Sequence, residues 1–206
     1  MEILSKKISC KIKQELNLDN DKGEIIAYGT FAIIQIIISI LFTFLFGFLF
    51  KVFFESLTVM ITVIILRKYS GGIHARSPRL CLIFGTIVTV SLGILSKNIF
   101  ALALNIRYLI SICSFILSFY IVYKKAPVES ENKKIKNKNK IKAMKTGALK
   151  ILFVYLLIVI LSIGFEIILN TDLSNIIFSI ILGMLWQVFT LTNPCAFIIK
   201  KIESII

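Results

Sequence analysis

The residue types and spacing that could do covalent chemistry fall in one stretch, residues 67–81, which reads RKYSGGIHARSPRLC. It holds the chain's only histidine, His74, and, seven positions later, Cys81. An imidazole within reach of a thiol is a general base beside a nucleophile. On one continuous helix the two residues would share a face yet sit ~10.5 Å apart along the axis, too far for a proton to pass. The stretch, however, interrupts the helix on both sides of His74. Gly71 and Gly72 admit backbone angles that other residues resist, and Ser77-Pro78 is a helix start, with serine as N-cap and proline at the first helical position. A loop built this way can fold back onto the start of the next helix and bring imidazole within ~3 Å of sulfur.

Cys81 then falls about one turn inside that helix, with Arg76 and Arg79 close in sequence, a setting that favours a thiolate. A second reading stays open on these residues alone: a cysteine used as a small apolar residue and a histidine that is merely solvated. Cys10, Cys113 and Cys195 have no histidine available in sequence and read as structural. Other hydrolytic chemistries fit less well. A His-Glu-x-x-His zinc site needs a second histidine, so no metal centre is expected. A serine nucleophile would have to be Ser70 or Ser77, and Ser77 serves better as a cap. Asp19, Asp21 and Asp172 all lie in polar segments rather than as a buried pair. To orient His74, Glu55 lies ~18 Å along its helix from the loop and is set aside, whereas Glu24 is at a suitable depth.

The elements that must position this loop are apolar to a degree that excludes a water-soluble domain. The chain has 206 residues, 57% of them hydrophobic, and a mean hydropathy of +0.90; soluble domains are normally less than half apolar. Residues 25–50 carry no charge, well beyond the ~20 residues that cross a hydrocarbon core. Further apolar runs occupy roughly 48–66, 80–95, 108–123, 151–169 and 176–199. The expected fold is therefore all-α: a polytopic integral membrane protein, one domain over residues 1–206, with about six transmembrane helices. A formal net charge of +13 does not point to nucleic acid, because no soluble basic face or binding module accompanies it. If the N-terminus, residues 67–80, residues 123–150 and the C-terminus share one side, that side holds 21 of the 24 Lys and Arg residues. By the excess of basic residues in inner loops, it is the cytoplasmic side. With thiols either there or within spans, disulfides are not expected.

Residues 1–22 contain an amphipathic segment, Ile3, Leu4, Ile8, Ile12 and Leu16 lying to one side, suited either to an anionic inner leaflet or to packing on the protein's own loops. A tight turn is expected near Gly47. Lys51 and Glu55, at i and i+4, read as a charge pair, and Arg107 as a residue that reaches back to the outer surface. Residues 124–150, basic and low in complexity, read as a mobile cytoplasmic loop that meets lipid headgroups or docks an acidic peptide.

The stretch LRKYSGGIHARSPRLC resembles the signature of the accessory gene regulator B (AgrB) family, membrane-embedded cysteine endopeptidases that mature quorum-sensing peptides. AYG at 27–29, KKAPVE at 124–129 and LTNP at 191–194 extend the similarity along most of the chain. The resemblance implies that Cys81 is the nucleophile and His74 its base, with Arg67 and Gly72 also important and Gly71, Ser77 and Pro78 shaping the loop. It implies an AgrD-like propeptide as substrate partner, with an amphipathic leader and an acidic C-terminal segment. Cleavage would leave an acyl-enzyme thioester, which a Cys or Ser of the peptide attacks to close a thiolactone or lactone. No cofactor is implied, and a homo-oligomer is left open. The alternative from another class is a membrane exporter or peptide-binding protein without catalysis.

Overall fold

In lipid no water satisfies exposed backbone groups, so a chain of this composition must close its hydrogen bonds within helices. The computed structural model describes residues 2–16, 18–73, 78–99, 104–128, 138–169 and 173–203. Eight helices follow in order: α1 (Glu2–Glu15), α2 (Asn20–Leu49), α3 (Phe53–Ser70), α4 (Pro78–Asn98), α5 (Leu104–Lys125), α6 (Lys138–Leu169), α7 (Ser174–Phe189) and α8 (Asn193–Glu203). Among the described residues there is no strand, only an isolated bridge between Gly71 and Val128.

Contacts at the two ends establish an up-and-down course. The C-terminal ends of α3, α5 and α7 meet where Val128 N donates to Ser70 O and Gln187 Nε2 to Gly71 O. Their N-terminal ends meet the C-terminal ends of α4 and α6 at the opposite pole, through Asn175–Glu55, Ser179–Ser96 and Ser174–Glu166. Helix α3 lies in the middle, in contact with α2, α4, α6 and α7.

Among the described residues, four helical stretches are long and apolar enough to cross a membrane: Asn20–Leu49, Leu80–Asn98, Asn105–Lys125 and Lys138–Leu169. A fifth is added if the bent pair Ser174–Phe189 and Asn193–Ile199 counts as one span. Length and apolarity alone thus do not reach the expected six, because the 18 residues of α3 include Glu55, Arg67 and Lys68. Burial is inverted relative to a soluble protein. Ser56, Ser70, Ser96, Ser118 and Ser179 are fully buried, while Phe44, Ile112 and Ile160 are exposed. Small polar residues let helices approach closely, and large apolar ones face lipid. Gly93 and Gly183 mark close approaches between helices, to Ser56 and to Val59 with Thr62.

Several expectations are corrected. The first turn lies at Phe50–Val52 rather than at Gly47, which stays helical so that α2 can pass close to Phe53. Lys51 sits in that turn with φ +56°, outside helical geometry, so the i, i+4 pairing with Glu55 does not form. Lys97 instead donates to Lys51 O (2.9 Å), and Asn175 faces Glu55 (3.5 Å). Arg107 does not reach the surface. It is buried and donates to Ser174 Oγ at 2.5 Å. Of the basic segment 124–150, residues 138–150 begin α6, and residues 129–137 lie outside the described residues. The last apolar run is broken at residues 190–192, where the chain turns by 81° from α7 into α8. Helix α1 packs against α2 through buried Ser5 and Ser9, Ser9 Oγ donating to Gly23 O at 2.5 Å. This leaves Ile3, Leu4, Ile8 and Leu16 exposed, so the apolar side is available to lipid.

Candidate active site

Helix α3 ends because Gly71 adopts φ +68°, while its N–H caps the helix on Arg67 O (3.0 Å). Gly72 follows at φ +138°. Both values favour glycine on conformational grounds, and the surroundings add a steric demand. A Cβ on Gly71 would collide with the carbonyl of Val128, and one on Gly72 would come within 2.8 Å of Thr190 Oγ1 and 3.2 Å of Gln187 Nε2. The two glycines are required here by close packing as well as by the turn.

The turn is tied on every side. Val128, just past α5, donates to Ser70 O (2.9 Å) and accepts from Gly72 N (3.3 Å). Ile73 N donates to Thr190 O (3.3 Å) at the α7–α8 bend. Gln187, fully buried on α7, donates from Nε2 to Gly71 O (2.7 Å) and to Ser70 Oγ (3.0 Å). Arg67 reaches forward over the turn, and its Nη2 donates to Ile73 O at 2.8 Å. Three helix ends and one guanidinium therefore fix the backbone that leads into His74.

His74 and Ser77 themselves lie outside the described residues, as does the expected approach of imidazole to thiol. Pro78 begins α4 as the sequence predicts, and Cys81 lies in its first turn, half-buried. None of the four cysteines is in a disulfide. The guanidinium of Arg67 acts electrostatically on two thiols, Cys81 and Cys195. Burial of these thiols disfavours their charged form, and the cation beside them acts in the opposite sense. Glu24 is exposed near the start of α2.

Three residues of this network were not expected from the sequence, and a fourth, Cys195, was expected to be structural only. Val128, Gln187 and Thr190 carry no local signal, since their role arises only where distant helix ends converge. Cys195 did have one. It lies directly after Pro194 at the start of α8, whereas Cys81 lies in the first turn of α4 but further from Pro78, and Cys195 is buried beside the same arginine. Next to the turn, Tyr69 packs on Gly147 of α6, where a Cβ would collide with the ring. Lys145 lies 4.3 Å from the centroid of the Tyr123 ring. The basic start of α6 is thereby held against the same end of the bundle as the turn.

No solved structure matches the chain. An AgrB-like protein of Clostridium perfringens strain SM101 (type A) is 45% identical over 207 residues, covering 99% of this chain and 97% of the relative. A second AgrB-like protein, from Clostridium perfringens strain 13 (type A), is 42% identical over the same shares. Residues 5–191 match accessory gene regulator B, so that the helical membrane chain built around this turn belongs to the AgrB family.

Proposed function

We propose that the protein is a cysteine endopeptidase of the membrane that cleaves an AgrD-like propeptide and closes the released piece into a ring. The observation that carries this reading is the convergence on Arg67. One guanidinium holds the Gly71–Ile73 backbone through Ile73 O and lies within electrostatic reach of the Cys81 thiol in the first turn of α4. The residue leading out of the held backbone is His74.

In this reading His74 removes the Cys81 proton, and the thiolate attacks the scissile carbonyl. The tetrahedral intermediate collapses as His74 returns the proton to the leaving amine, and the C-terminal segment departs. The acyl group is then held on Cys81 as a thioester. A Cys or Ser side chain of the same peptide attacks it, passes its proton to His74, and forms a thiolactone or lactone while the Cys81 thiol is regenerated. A thioester suits this exchange because its acyl group is passed to a second thiol at little cost in free energy. The gathering of Lys and Arg at the loop end supports a cytoplasmic orientation of the turn, and the lysines of α6 give an acidic C-terminal segment a surface to meet.

The test uses the full-length protein in proteoliposomes with a synthetic AgrD-type propeptide. Cys81→Ala should release no C-terminal fragment while still binding peptide, and Cys81→Ser should give slow turnover or a trapped ester. Release by Cys81→Ala at the wild-type rate would leave a peptide-binding or export role and end the enzymatic reading.

A further inference from the structure

One residue that holds the glycine turn is neither in the stretch 67–81 nor near it in sequence. Gln187 lies 116 positions from Gly71, yet its Nε2 donates to Gly71 O at 2.7 Å and to Ser70 Oγ at 3.0 Å. The orientation of its carboxamide is fixed by chemistry, because a carbonyl can only accept, so the nitrogen must face Gly71 O. The side chain is fully buried, and its Oε1 has no hydrogen-bond partner among the described residues. An acceptor left without a donor in so dry a place costs free energy, and a purely structural position would be cheaper with leucine or methionine.

The neighbours tighten this point. Thr190 Oγ1, one turn further along α7, donates to Gln187 O (2.7 Å), and Thr190 O accepts from Ile73 N. The absent Cβ of Gly72 leaves room for the Thr190 hydroxyl first and for the Gln187 carboxamide beside it. Gln187 and Thr190 thus hold the carbonyl of Gly71 and the amide of Ile73 from the same side. Arg67 holds the carbonyl of Ile73 from α3.

We propose that Gln187 is a positioning residue for the Cys81 chemistry, its carboxamide setting the Gly71–Ile73 backbone from which the chain leads on to α4. The inference rests on the enzymatic reading above and adds to it a residue from the last third of the chain. It acts through the turn, so its loss should slow the reaction more than it weakens peptide binding.

The experiment measures cleavage of the synthetic AgrD-type propeptide by full-length protein in proteoliposomes. Gln187→Met keeps the volume and loses both donors, and is expected to lower kcat by about tenfold or more with KM within about threefold. Gln187→Asn keeps the carboxamide but shortens its reach, and should lie between Met and wild type if the bond to Gly71 O is what matters. A kcat within about twofold of wild type in the Met variant, or a loss confined to KM, overturns the proposal. If the Met variant does not fold, the Asn variant decides on the same criteria. If neither folds, Gln187 is assigned to folding alone and the proposal falls. Cys81→Ala run alongside separates the two readings. Full cleavage by Cys81→Ala defeats the enzymatic one, whereas an inactive Cys81→Ala with an unimpaired Gln187→Met defeats only this inference.

Discussion

Arg67 donates from Nη2 to the carbonyl of Ile73 at 2.8 Å, spanning the two glycines that lie between them. The bond makes the last turn of α3 and the exit of the loop one rigid piece. It also explains why an arginine stands where a lysine would serve the helix dipole equally well. A guanidinium can donate to a carbonyl with one arm while its charge acts on thiols nearby; an ammonium is a point charge on a flexible stem. Arg67→Lys, which keeps the charge, should therefore reduce propeptide cleavage by about tenfold or more, and Arg67→Ala should reduce it further. Fragment release measured in proteoliposomes checks this. Wild-type activity in Arg67→Lys would show that charge alone is required and that the bond to Ile73 is dispensable.

The two glycines differ in the neighbours that confine them, and alanine should report the difference. At Gly71, φ +68° combines with a backbone carbonyl, Val128 O, that cannot move aside without breaking the ties at the end of α5. At Gly72 the obstacles are the Thr190 hydroxyl and the Gln187 amide, both side-chain atoms. Strained backbone of this kind costs about 1–3 kcal/mol per residue. Gly71→Ala should lower the midpoint of thermal unfolding as well as activity, whereas part of the Gly72→Ala defect should be relieved by Thr190→Ala in the same chain. Equal activity of Gly72→Ala with and without Thr190→Ala would count against a steric cause.

How much of this was legible in sequence follows the range of the interaction. The helix break at Gly71-Gly72 and the restart at Pro78 are local backbone chemistry, and they appear where the residues predict. The apolar side of α1 was also readable from spacing, whereas its exposure was not. Gln187 and Val128 were not, because hydrogen bonds across 116 positions, or between the tails of α3 and α5, depend on which helix ends converge. Lys138–Lys150 misled for a different reason. A run of lysines reads as solvated loop by charge, yet lysine is a good helix former, and here Lys145 rests on Tyr123 while Gly147 receives Tyr69. Arg107 misled because charge was assumed to seek water, when a serine beside a glutamate offered it a partner inside the bundle.

Thiol labelling from each face gives the orientation. Cys10 is exposed on α1 at the loop end, and Cys113 is exposed on α5 in the middle of an apolar helix. In sealed vesicles of inside-out and right-side-out orientation, a charged maleimide should label Cys10 only from the cytoplasmic face, and Cys113 from neither, because its exposed side meets lipid. Labelling of Cys10 from the external face would invert the proposed placement of the turn.

The pole opposite the turn provides a control for all these variants. There Arg107 donates to Ser174, and Ser174 donates to Glu166 at 3.1 Å, joining α5, α6 and α7 around a cavity of about 20 Å³. The group lies a full helix length from Gly71, since Ser174 opens α7 and Gln187 and Thr190 close it. Arg107→Met removes the buried charge and its bond to Ser174, while Ser174 can still donate to Glu166. A hydrogen bond from a charged donor contributes about 1.5–3 kcal/mol in water-soluble proteins, and interhelical polar contacts in membranes average lower, which brings the expected loss to about 2 kcal/mol. At about 2–4 °C per kcal/mol for a chain of this size, the unfolding midpoint should fall by about 4–8 °C. At temperatures where the variant stays folded, kcat for propeptide cleavage should remain within about twofold of wild type, because Arg107, Ser174 and Glu166 lie a helix length from the turn. A variant that kept its midpoint but lost turnover would instead make the far pole part of the reaction path.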